Sequence, residues 1–225
     1  MIKLKYPAAF YDINTVMTQN SCRELLPTIF DLFRPNSVAD VGCATGVWLS
    51  ELQKAGVKEV HGFDGFDVKD EQLLIPVDAL TRVNLASPPQ SVNTQVDMAM
   101  SLEVAEHLPL ASAEAFVQFL TALAPVVLFS AAIPKQGGVH HLNEQWQSYW
   151  AALFKQQGYV PVDAIRPQVW NNSKIEYWYR QNMIFYVKET ELGNYPQLAE
   201  WRKKTNDSFL DMVHFVLSGT PIHFS

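Results

Sequence analysis

A short apolar segment, Val38-Ala39-Asp40-Val41, runs directly into Gly42-Cys43-Ala44-Thr45-Gly46 and then into a helix-forming run. Glycines at such a turn let a ligand approach the backbone, and a helix that starts there offers free N–H groups at its positive end. Asp64 follows Gly42 by 22 residues, at the end of the next apolar run. A carboxylate in that place accepts hydrogen bonds from both ribose hydroxyls of an adenosine. Two ligand classes use this arrangement. A dinucleotide prefers G-x-G-x-x-G beneath its pyrophosphate. Here the spacing is Gly-x-Ala-x-Gly, and Asp40 stands two residues before it. An anion there repels a pyrophosphate and attracts a cation, such as the sulfonium and ammonium of S-adenosylmethionine.

These residues need strands and helices to hold them. Ser21 and Glu24 have capping-box spacing ahead of a helical pattern through Leu25, Ile29 and Phe33, and Pro27 is expected to kink or restart that helix. Strands are expected at 37–41, 60–64, 96–102, 126–133, 159–165 and 182–187. Helices are expected at 47–55, 112–123 and 143–157, with Gly56 and Gly158 as their closing glycines. Short strands alternating with helices imply right-handed crossovers in a mostly parallel, doubly wound α/β sheet with helices on both faces. Residues 1–36 read as an N-terminal helical cap, 37–188 as the sheet core and 189–225 as a C-terminal extension of one domain. Trp201 to Val216 reads as one more helix.

Composition narrows the class further. The 225 residues are 48% hydrophobic and 18% charged, with 10 Gly and 13 Pro scattered without period, which excludes disordered and collagen-like chains. Net charge is 17 − 23 = −6, so a basic nucleic-acid footprint is not expected. The longest apolar stretch, Ala122 to Pro134, is too short to span a bilayer, and no secretory signal is visible. Cys22 and Cys43 make neither a disulfide framework nor a metal cluster. A cytoplasmic protein, without membrane association and either monomeric or homodimeric, is the expectation.

Asp40-Val41-Gly42-Cys43-Ala44-Thr45-Gly46 resembles the first motif of class I S-adenosylmethionine-dependent methyltransferases, with Ala44 in place of the middle glycine. Ser101-Leu102-Glu103-Val104-Ala105-Glu106-His107-Leu108 resembles their fourth motif, in the form of the ubiquinone-type O-methyltransferases. Gly137 to Trp146 resembles a bacterial subgroup that modifies glycans or small molecules. The resemblance covers roughly residues 10 to 188. It implies a Rossmann-like sheet of order 3-2-1-4-5-7-6 with an antiparallel last strand, S-adenosylmethionine as cofactor and S-adenosylhomocysteine as product. By similarity Asp40, Gly42, Ala44 and Gly46 hold the methionine part and Asp64 the ribose. Asn84 and Leu85 replace an Asp-Leu pair near the adenine, and Ser101 and Leu102 line the methyl side. Tyr11 closes over the cofactor or, alternatively, packs on the first helix.

Methyl transfer to an alcohol requires alignment, exclusion of water and removal of a proton. Histidine suits the last task. His107 and His141 both follow strands at the sheet's carboxyl edge, so either is a candidate base, His141 ahead of His107, with Glu103 as orienter or substrate contact. Adjacent His140, together with Trp170, Tyr177 and Trp178 of the long connection 170–180, is a candidate substrate contact; a packed structural loop is the other reading. His140, His141 and Glu144 invite a metal, but neighbouring side chains rarely converge on one ion. A metal-free, chelator-insensitive enzyme is expected. Trp146, Tyr149 and Trp150 read as a core stripe. The acceptor is expected to be a small polar molecule bearing a hydroxyl, such as a sugar or natural product. Amine methylation is the nearest variant, and an NAD-dependent oxidoreductase or a non-catalytic cofactor-binding partner the more distant ones.

Overall fold

Strands whose residues are apolar along their whole length need cover on both faces, and the intervening helices supply it. The computed structural model describes residues 8–65, 68–90 and 92–218, with side chains described between residues 15 and 217. β1 (Ser37–Val41), β2 (Glu59–Asp64), β3 (Leu80–Arg82), β4 (Met98–Leu102) and β5 (Val126–Ser130) run parallel. β7 (Ile184–Lys188) lies antiparallel between β5 and β6 (Tyr159–Val162). The order is β3-β2-β1-β4-β5-β7-β6, as the resemblance implies. Every residue of β5 is buried, which explains its unbroken apolar run.

One face of the sheet is covered by α1 (Ala8–Leu32), α2 (Val47–Lys54), α5 (Arg166–Val169) and α6 (Tyr177–Asn182), with Cys22, Leu25, Ile29, Leu49 and Tyr179 in its core. The other is covered by α3 (Ala113–Leu123) and α4 (Gln147–Gln156), where Phe154 stacks on Tyr186 with centroids 3.9 Å apart. Strand order reverses between β1 and β4, so the loops leaving them diverge and open a crevice at the carboxyl rim. Ligands of open α/β sheets bind there.

Several local expectations change. α1 runs through Pro27, which is exposed, so the carbonyl that loses its partner can be solvated. Ser21 is no cap; it is buried inside α1, and its Oγ accepts the Glu176 N–H at 3.0 Å. The connection 166–182 is not a loop but two short helices, α5 and α6, and β7 accordingly starts at Ile184. The expected helix 201–216 is divided: α7 (Pro196–Lys204) ends at Thr205, a 3-10 turn spans Asp207–Phe209, and α8 covers Phe215–Ser218. β3 has only three residues and carried no readable period. Of the aromatic stripe on α4, Trp150 is core at 2% exposure, whereas Trp146 is 40% exposed.

What fastens the C-terminal extension is a buried cation. Arg166 is fully buried; its Nε and Nη2 donate to the two Asp163 oxygens at 2.8 and 2.7 Å, and Nη1 donates to Leu210 O at 2.8 Å. His214, also fully buried, donates its backbone N–H to Gln181 Oε1 at 2.7 Å. Truncating one partner of a buried pair typically costs about 3–5 kcal/mol. Arg166→Ala is therefore expected to lower the urea midpoint by a stability loss of that size. A loss below about 1 kcal/mol would show that Arg166 does not anchor the extension.

Candidate active site

The turn after β1 is held open by its neighbours. Gly42 N–H donates to Phe63 O at 2.7 Å, and Gly46 N–H closes the turn on Cys43 O at 2.7 Å. Gly42 and Gly46 have φ of 89° and 81°, and Ala44, at 46°, occupies the left-handed region without being glycine. Ala44 N–H donates to Asp64 Oδ2 at 2.7 Å. The carboxylate expected at the ribose is thus already oriented against the Gly-rich turn, at the end of β2. Gly46 then caps α2, whose first N–H groups face the crevice.

Asp40 differs from its simplest reading. At 4% exposure its carboxyl is pushed up to about 8, first by burial and then by the nearby Asp64 charge. It is therefore largely neutral at pH 7 until a cation arrives. Ser101 is fully buried, and its Oγ donates to Val41 O at 2.8 Å, tying β4 to β1. Its hydroxyl is committed to the sheet, leaving backbone for a ligand. Asn84 is exposed and its Oδ1 accepts the Ala86 N–H at 3.1 Å, whereas Leu85 is buried. Tyr11 falls within α1, but its side chain lies outside the described residues.

A second cluster forms where the loops after β4 and β5 meet. His107 and His141, 34 residues apart, bring their rings edge to face with centroids 4.9 Å apart. His141 Nδ1 lies 2.9 Å from Glu144 Oε1, and His107 Nδ1 lies 3.4 Å from His140 O. Burial, and secondarily His141, pushes the His107 imidazole down to about 4, so it is neutral at physiological pH. Glu144 loses water too, but hydrogen bonds from His141 and from the Lys135 and Gly137 N–H groups hold it below the usual carboxylate range. Glu103 accepts from Gln136 Nε2 at 3.0 Å and Asn182 Nδ2 at 3.2 Å; burial raises its carboxyl against those bonds. Glu106, 1% exposed, is raised well above the usual range by burial and by Glu103.

Backbone strain marks the same rim. Among the described residues, the non-glycine positions with positive φ are Ala44, Glu103, Lys135 and His140, all on loops after β1, β4 and β5. Such conformations cost about 1–3 kcal/mol each and persist where the surroundings impose them. Here they aim Glu103 inward and turn the His140 carbonyl toward His107.

Glu103, His107 and His141, singled out from the sequence, lie close together at this rim. Glu106, Gln136 and Asn182 had been given no role, and Glu144 had entered only in the metal set. Glu106 stood in the quoted Glu-x-x-Glu-His run, and that spacing was its signal. The metal set weighed and set aside from the sequence, His140, His141 and Glu144, does not assemble, because His140 is exposed and Glu144 binds the far side of His141. Tyr177 is half-buried within the electrostatic reach of Glu103, and Trp178 packs edge to face on it. Trp170 instead packs on His214 of the extension at 4.8 Å, and its carbonyl accepts from Arg180 Nη1 and His214 Nε2.

A seven-stranded sheet of this order, with a Gly-rich turn after β1 and an acid ending β2, defines a class I methyltransferase architecture. The profile of a family described as a methyltransferase domain matches residues 17–172. The chain belongs to that family and is an enzyme. Solved structures agree in fold: magnesium protoporphyrin IX methyltransferase from Synechocystis PCC 6803, with bound SAH, is 15% identical over 82% of this chain and 89% of that one, with a TM-score of 0.57. Streptomyces venezuelae DesVI is 13% identical over 82% and 99%, with a TM-score of 0.58. Among curated proteins, no sequence matches. Among the described residues no helix is long and apolar enough to cross a membrane.

Proposed function

We propose that this methyltransferase takes its methyl group from S-adenosylmethionine and delivers it to a hydroxyl oxygen of a small polar acceptor, such as a sugar or natural product. The donor reading is supported by the Gly-rich turn, Asp40 and Asp64, and by the SAM- and SAH-bound forms of the Synechocystis relative. One observation carries the acceptor reading: two imidazoles, the buried Glu106 carboxyl and the half-buried Glu103 carboxyl come together at the crevice rim beside the end of β4.

In the transfer the acceptor oxygen forms a bond to the methyl carbon as the carbon–sulfur bond breaks. That bond's electron pair stays on sulfur, giving neutral S-adenosylhomocysteine. The hydroxyl proton leaves at the rim cluster, with His141 as its first receiver, oriented by Glu144. Buried walls exclude water, and the turn after β1 fixes the sulfur in line. The protein acts in the cytoplasm, as a monomer or homodimer.

Incubation with labelled S-adenosylmethionine and matched alcohol and amine acceptors tests this. O-methyl product is expected, and exclusively N-methylated product overturns the oxygen assignment. His141→Gln is expected to lower kcat by about 10²–10⁴-fold with cofactor affinity unchanged, as for loss of a positioned acid–base group. An unimpaired variant removes His141 from the chemistry.

A further inference from the structure

Glu106, His107 and His141 present one ligand atom each, and these atoms all lie within 4.8 Å of one another. We propose that they form a binding site for one divalent transition-metal ion, which receives the acceptor's oxygen. This rests on the acceptor reading above and changes only its last step: with the ion bound, His107 and His141 are ligands, and the hydroxyl proton goes to solvent water at the rim instead of to His141.

Three features of the cluster point to a ligand rather than to self-contained packing. Glu106 Oε2 is buried and has no hydrogen-bond partner among the described residues. A carboxylate oxygen withdrawn from water without a partner is costly, and a cation compensates it. Both histidines already have an acceptor at Nδ1, the His140 carbonyl for His107 and the Glu144 carboxylate for His141. Neither acceptor can donate, so each ring carries its proton at Nδ1 and keeps its lone pair at Nε2. A carboxylate behind the far nitrogen is the usual support of a metal-binding histidine. Finally, Gly138 puts no side chain against His141: a Cβ built there would lie 2.2 Å from Nε2.

The donor set selects the ion. Magnesium and calcium favour all-oxygen surroundings, whereas two neutral imidazoles with a carboxylate suit manganese, iron, cobalt or zinc. Three protein ligands on one side leave positions open, so the site favours an acceptor with a second oxygen beside the reacting hydroxyl. A bound cation also makes that hydroxyl more acidic, which is what transfer to oxygen requires.

Cobalt(II) titration of the full, chelator-stripped chain tests the site without turnover. One ion per chain is expected, with a visible absorption band from mixed nitrogen and oxygen ligation. Glu106→Gln and His107→Gln should abolish the band. Glu144→Gln should weaken binding by about 10–100-fold, as for loss of a supporting partner. His61→Ala, at a half-buried histidine paired with Glu59 outside the cluster, should change neither stoichiometry nor spectrum. Thermal unfolding and cofactor calorimetry on each variant separate misfolding from ligand loss. Absence of stoichiometric binding, or a band that survives both ligand variants, overturns the site. Chelator-insensitive O-methylation without ion binding sinks the inference and leaves the proposed function standing. Ion binding without any O-methylated product does the reverse.

Discussion

Asp40→Asn is expected to weaken S-adenosylmethionine binding by about 10–100-fold at pH 8 and to flatten its pH dependence. The carboxyl is 4% exposed and pushed up to about 8 by burial and by Asp64. Cys22 and Cys43 are the other titratable groups whose protonation its charge affects; both are buried and pushed upward, so both stay neutral. At pH 7 the free enzyme therefore holds a proton on Asp40 that a cationic ligand displaces. Binding should release close to one proton, and affinity should improve about tenfold per pH unit up to 8. Hydrogen bonds to charged groups contribute about 1.5–3 kcal/mol, which gives the stated factor for the asparagine variant.

Stability supplies an independent sign. A carboxyl whose folded-state value is raised contributes stability that is complete below its unfolded value and is lost as pH rises through the folded one. The ligand-free enzyme should thus lose stability between about pH 4 and 8 from this residue, and Asp40→Asn should not. Calorimetry in buffers of different ionisation enthalpy, with melting curves across pH, measures both. A wild-type affinity that is flat from pH 6 to 8 would show that Asp40 does not meet the ligand's charge.

How far the sequence carried this site depends on how local each signal was. The turn from Val38 to Gly46 was legible because one strand, two glycines and one acid act within nine consecutive residues. Asp64 was legible because parallel neighbours end level: Asp40 lies opposite Gly62 and Val41 opposite Phe63. Glu106 was passed over because its significance comes from His141, 35 residues away, and from the loss of water around it. α5 and α6 were read as loop because helices of four and six residues are too short to show a period. The broken C-terminal extension owes its path to Arg166, Gln181 and Gln147, none of which belongs to it. Contacts between distant residues decided those elements, and no spacing rule encodes them.

Gly42→Ala should damage both stability and cofactor binding. Its Cβ would lie 2.4 and 2.6 Å from the two Val104 methyl carbons, and φ at this position is 89°. Left-handed backbone costs an L-residue about 1–2 kcal/mol, and overpacking adds about 1–3, so a loss of about 2–5 kcal/mol is expected. The damage should also reach the rim. Val104 follows Glu103, whose positive φ and bonds to Gln136 and Asn182 hold the carboxyl in place. Pushing Val104 away disturbs that arrangement together with the turn whose Ala44 N–H orients Asp64. Cofactor affinity should therefore fall at least tenfold along with the melting temperature. Adding Val104→Ala to the Gly42→Ala variant removes the collision but not the backbone strain. The double variant should recover the steric share alone, leaving about 1–2 kcal/mol unrecovered beyond the cost of Val104→Ala by itself. If the second substitution restores nothing, the collision is irrelevant and the strain in the turn accounts for the whole loss.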